Sequence, residues 1–114
     1  MIAVLFEVTM PDERRGRYLD IAGDLRPLLE KIDGFISIER YESLSEKGKL
    51  LSLSFWRDEA AVAAWRNTEE HRAAQAIGRN EVFGDYHLRI AEVVRDYGMQ
   101  QRDEAPIDSR DVHG

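Results

Sequence analysis

Along Met1–Thr9, MIAVLFEVT, side chains alternate between two faces, with Ile2, Val4, Phe6 and Val8 on one and Ala3, Leu5, Glu7 and Thr9 on the other. This period of two, with β-branched and aromatic residues, predicts a strand. Met10-Pro11-Asp12 stops it and starts a helix, because proline is tolerated in a helix's first turn. From Tyr18 the period changes: Tyr18, Ile21, Ala22, Leu25, Leu28, Leu29 and Ile32 form one helical stripe. Pro27 lies inside that stripe and predicts a bend about one turn earlier or a restart. Asp33-Gly34 ends the helix, with the glycine free to take a left-handed cap.

Phe35–Leu44 alternates again, Ser45–Gly48 reads as a hairpin turn, and Lys49–Trp56 is a second hairpin strand. The latter carries Leu51, Leu53 and Phe55 on one face and Leu50 and Trp56 on the other, as a central strand does. A helical stretch Asp58–Ile77, a connection Gly78–Asp85 and a last strand Tyr86–Arg95 complete the pattern. The order β-α-β-β-α-β is the ferredoxin-like α+β arrangement, an antiparallel four-stranded sheet with two helices on one face. Several strands are apolar on both faces, so the uncovered face is expected to meet a second copy in an obligate or near-obligate homodimer.

Residues 1–98 make the expected domain, and 99–114 a polar C-terminal tail. From Asp96 the chain holds five acids against two arginines, so the tail is expected not to order itself, although Tyr97 and Met99 are candidates to pack across the dimer. A length of 114 residues with 43% hydrophobic and 33% charged residues suits one domain with a small core. The net charge of -6 argues against a nucleic-acid partner. Arg14, Arg15 and Arg17 stand beside Asp12 and Glu13 and read as a solvated helix face. The chain has no cysteine, hence no thiolate nucleophile or thiolate metal ligand. No apolar run approaches the roughly 20 residues of a membrane span, and Met1–Phe6 lacks a basic leader, so no membrane is expected and a cytoplasmic location is the default.

The chemistry-bearing stretch is Ser54–Arg79, SFWRDEAAVAAWRNTEEHRAAQAIGR. Asp58 is placed as an N-cap, with Glu59 adding favourable charge in the first turn. Ala60, Ala61, Val62, Ala63 and Ala64 make a thin helix that leaves either close packing against the sheet or an open pocket. Asn67-Thr68 breaks the pattern, and Thr68 can cap a second segment from Glu69. On a straight helix Trp65 and His71 would lie roughly 120° apart; only the break brings them to one cavity. Taken alone, such a histidine also reads as a surface or capping residue, and Trp65 as core. Glu7, the one charge in its strand, either reaches a polar cavity or lies at a wet edge paired with an arginine.

The first strand, FISIERYES, GKLLSLSFWRDEAAVAAWRNTEEHRAAQ and DYHLRIAEVVRDYG together resemble the antibiotic biosynthesis monooxygenase (ABM) domain family, over Met1 to about Gly98. The resemblance implies a dimeric α/β barrel with a pocket between sheet and helices in each subunit. It also implies monooxygenation with O2 of a small aromatic phenol or quinol, with no metal or other cofactor. Trp65 would then be an aromatic wall, His71 a proton acceptor or hydrogen-bond donor, and Arg40 or Arg89 a stabiliser of anionic intermediates. The candidate set is His71, Trp65 and Glu7 for catalysis and Trp56, Arg40 and Arg89 for substrate binding. Haem-degrading members of the family resemble this chain too, with an asparagine on the first strand, a tryptophan on the second helix and a haem-ligating histidine ten residues later. Here those positions are Glu7, Trp65 and Gln75, so haem as cofactor, held by His71, is the alternative. A non-catalytic dimer that binds a small apolar ligand is a third reading.

Overall fold

In the computed structural model, which describes all 114 residues, four strands form one antiparallel sheet. The elements are β1 (Ile2–Thr9), α1 (Asp12–Leu29), β2 (Phe35–Glu42), β3 (Lys49–Trp56), α2 (Glu59–Arg66), α3 (Glu69–Ile77), a π-helical turn (Gly78–Val82), β4 (Asp85–Glu92) and α4 (Ile107–His113). Their spatial order is β2-β3-β1-β4, which puts the two most apolar strands in the middle. The α+β ferredoxin-like expectation holds.

Register sorts the side chains. Phe6 stands opposite Ser52 on β3 and Leu88 on β4, while Leu5 stands opposite Leu53 and Arg89. The even-numbered positions of β1 and β3 therefore share one face, and the odd-numbered ones the other. Two apolar clusters form on the helix-covered face. One gathers Val8, Leu50, Met10, Tyr18 and Val82 at one end of the β1–β3 ladder. The second gathers Trp56, Leu29, Ala61, Val62 and Trp65 at the other end. Between them β3 presents only Ser52 and Ser54, both buried. Two large residues at the ends of a strand face and two small ones in its middle leave a gap under the helices.

Two glycines are required by close approach as well as by backbone. Gly34, with φ 94°, ends the turn after α1, and a Cβ there would fall 2.7 Å from that of Ala61. Gly48, with φ 80°, closes the β2–β3 hairpin, where a Cβ would meet the Met10 carbonyl oxygen at 2.9 Å.

The restart expected at Pro27 does not occur: α1 runs unbroken to Leu29. Pro27 stands in the last turn, where its missing N–H forfeits a single intrahelical bond. The tail is also more ordered than its composition suggests. The Arg102 guanidinium donates to the carbonyls of Gly98 and Gly114 and to Ser109 Oγ, Ala105 is buried, and Ile107–His113 forms α4. One guanidinium thus ties two carbonyls and a hydroxyl of the tail together. No helix is long and apolar enough to cross a membrane.

Candidate active site

The gap over Ser52 and Ser54 is a cavity of about 210 Å³, roofed by α1, α2 and α3 and closed at one end by the π-helical turn. It is below the roughly 300–1,000 Å³ of sites that take drug-sized ligands, so it suits a small molecule.

The break between α2 and α3 is built by Thr68. Its hydroxyl donates to the Trp65 carbonyl at 2.9 Å and accepts from the His71 N–H at 3.2 Å, so one side chain closes the first helix and caps the second. Asp58 caps α2 in the same way, accepting from the Ala61 N–H at 2.9 Å. That bond, followed by the Arg57 guanidinium, holds the Asp58 carboxyl below the ordinary carboxylate range. The change of axis at Asn67-Thr68 brings the Trp65 and His71 rings to 5.1 Å between centroids, tilted by 51°.

His71 is half-buried against this indole, and its Nδ1 is buried with no hydrogen-bond partner. Burial lowers its pKa below the ordinary value near 6.5; the Arg66 carbonyl works the other way, and the charges of Arg66 and Arg72 add to the lowering. The ring is therefore neutral at neutral pH. A neutral imidazole on the wall of a cavity can accept a proton from a molecule there.

Trp56, Trp65, His71 and Arg40 all line the cavity. Trp56 lies edge-on to Phe35 at 5.3 Å, and its indole N–H is satisfied by Ser54 Oγ at 2.9 Å. Arg40 places its Cζ 5.9 Å from the centre of the Tyr18 ring and donates from Nε to the Tyr18 hydroxyl at 3.4 Å. Glu7 and Arg89 are not at the cavity. Both occupy odd positions, which the pleat turns to the far face of the sheet, where Glu7 meets Arg89 at 3.4 Å and Lys49 at 3.6 Å. Of the two readings open for Glu7, the structure has the ion-paired one.

Pattern reading does not mark Tyr18, Phe83 and Tyr86, which pack with Phe6 in a continuous aromatic group at the other end of the cavity. Nor does it mark Arg66, Gln75 and Arg79, which border the space. The signal that finds the floor is the series Leu50, Ser52, Ser54, Trp56, an apolar face with its middle cut away. No group of three or more His, Asp or Glu residues is arranged to hold a metal ion. Gln75, ten residues after Trp65, borders the cavity.

A split β-α-β-β-α-β sheet with an aromatic cavity between one face and its helices defines a ferredoxin-like α+β domain. The family model for antibiotic biosynthesis monooxygenase matches residues 1–77, and the chain belongs to that family. A jasmonate monooxygenase of the fungus Pyricularia oryzae is 52% identical over 93 residues, which are 82% of this chain and 43% of that protein. This chain thus spans less than half the length of that relative. A solved antibiotic biosynthesis monooxygenase superposes with a TM-score of 0.71 at 15% identity, covering 82% of this chain and 99% of that one. Rv0793 of Mycobacterium tuberculosis superposes with a TM-score of 0.74 at 16% identity, covering 85% and 98%.

Proposed function

We propose that this chain is a monooxygenase whose substrate lies in the cavity walled by Trp65 and His71 and is oxidised by O2 with no metal or other cofactor. The observation that carries the reading is a histidine with a lowered pKa, packed against the Trp65 indole on the wall of an apolar chamber. The substrate class is an electron-rich phenol or quinol. His71 takes the proton, the resulting carbanion transfers electrons to O2, and the adduct loses water to leave a new carbonyl. A phenol plus O2 gives a quinone plus water, so the substrate supplies every electron and no external reductant is needed. Trp65 and Trp56 wall the substrate, and Arg40 offsets the negative charge that develops. Oxygen uptake across a panel of phenols and quinols tests this: turnover that falls at least a hundredfold in His71→Ala supports it, and silence across the panel rejects a phenol or quinol as the substrate.

The 52% identity to a jasmonate monooxygenase favours a second substrate for the same site. A jasmonate is a small cyclic ketone with an apolar chain and a carboxylate, and its ring ketone acidifies the adjacent carbon that a base would attack. Haem is the alternative cofactor, with His71, which lines the cavity, as the ligand. A haem titration that gives no Soret shift sensitive to His71→Ala rejects it.

We further propose that the far face of the sheet, where Leu5, Leu51, Leu53 and Phe55 form a half-buried stripe, pairs with that of a second copy to make a dimeric barrel. Sedimentation equilibrium that returns the monomer mass of 13.1 kDa at micromolar concentration would reject the dimer.

A further inference from the structure

The chain carries 22 acidic residues against 16 lysines and arginines, yet none of the residues lining the cavity is an aspartate or glutamate. Four are arginines: Arg26, Arg40, Arg66 and Arg79. Only Arg26 has a carboxylate partner, Glu30 at 3.0 Å. Arg66 and Arg79 are exposed at the border of the cavity, and Arg40 is half-buried. Arg79 stacks over Tyr86 as Arg40 does over Tyr18, at 5.8 Å and 5.9 Å, so a guanidinium stands at each end of the Tyr18-Phe83-Tyr86 aromatic group.

Arg40 is the most enclosed of the unpaired three. A half-buried guanidinium is commonly matched by a carboxylate, and here a phenol ring and one hydroxyl are its only partners. Tyr18 engages Nε alone, which leaves both Nη groups of the fork free, the geometry that grips a carboxylate with two parallel hydrogen bonds. Tyr18 itself is buried, so the guanidinium is held by a fixed side chain of α1. A half-buried cation without a counter-ion, beside an apolar chamber lined by no acid, is a site suited to an anion that arrives with the ligand.

We infer that the cavity selects amphipathic molecules that are already anionic before any reaction, with the ligand's carboxylate seated on Arg40, Tyr18 acting as the positioning residue, and the hydrocarbon part directed toward Trp65 and His71. Arg66 and Arg79 raise the local concentration of such anions at the mouth. This rests on reading the cavity as the substrate site but requires no turnover there.

The test is calorimetric titration of the full chain with two matched pairs, octanoate against octanamide and cinnamate against cinnamamide. The wild type is expected to bind each acid roughly 10- to 100-fold more tightly than its amide, and added salt should narrow that margin. Arg40→Gln should bring the acid down to the amide and leave the amide unchanged; Arg40→Lys should restore part of the margin, and Tyr18→Phe should lose part of it. Equal affinity of acid and amide in the wild type, no heat from any of the acids, or loss of acid and amide alike in Arg40→Gln would overturn the assignment. Should Arg40→Gln not fold, the wild-type margin and its salt dependence decide. Acid selectivity without oxygen uptake would keep this inference and reject the monooxygenase reading; uptake with neutral phenols and no acid preference would do the reverse.

Discussion

Thr68→Ala removes the hydroxyl that joins the two segments of the broken helix. The Trp65 carbonyl also accepts from the Thr68 backbone N–H at 3.1 Å, so it keeps a partner after the substitution. The loss therefore falls on the His71 N–H, left without its acceptor in the first turn of α3. Loss of an N-cap costs about 1 kcal/mol, within a range of roughly 0.5–2 kcal/mol, and no second penalty of similar size is due. For a domain of this length that is a fall in Tm of roughly 3–6 °C. Urea unfolding at fixed protein concentration should show a lower midpoint with an unchanged slope, and Thr68→Ser should restore it. The same change frees the His71 ring from the Trp65 contact, so its NMR titration should move up toward the ordinary histidine value. A stability loss that leaves the His71 titration in place would show that packing, not the Thr68 cap, aims the imidazole.

Three further outcomes follow from the same geometry. Ser52→Leu refills the middle of the strand face, so binding of any cavity ligand should be abolished in calorimetry while far-UV circular dichroism is retained. Gly78→Ala places a Cβ 2.5 Å from the Phe83 ring inside the aromatic group, and should cost roughly 1–3 kcal/mol in urea unfolding; a neutral effect would mean the ring is free to move. Because burial lowers the His71 pKa, the folded chain binds that proton less readily than the unfolded one. Its contribution to stability is complete above about pH 6.5 and is lost as pH falls through that value toward the folded pKa. His71→Asn should flatten the wild-type loss below about pH 6.5, and parallel curves for the two proteins would contradict the assigned burial.

The sheet was readable because alternation in β1, β2 and β3 is nearly unbroken, and the helix break because Asn67-Thr68 combines a poor helix pair with a capping residue. The boundary of β4 was less so: Tyr86–Arg95 reads as one strand, but pairing with β1 ends at Glu92, opposite Ile2, where the partner strand runs out. The cavity was only half legible. Trp65 and His71 announce themselves by type, whereas Ser52 and Ser54 matter through what they lack, and Arg40 through the absence of an acid that only three-dimensional neighbours reveal. The place of Glu7 follows from the parity it shares with Leu5, but the partner that fixes it, Arg89, is contributed by β4 from the far end of the chain.

Because β3 turns its serines to one side and Leu51, Leu53 and Phe55 to the other, parity along a single eight-residue strand keeps two surfaces distinct. A slip of one residue would not merely shrink the chamber. It would plug it with leucine and phenylalanine and hand the hydroxyls to the opposite surface, erasing both roles at once. Substitutions at the even positions of β3 thus reshape the cavity and those at the odd positions the far face, with neither change passing through the backbone they share.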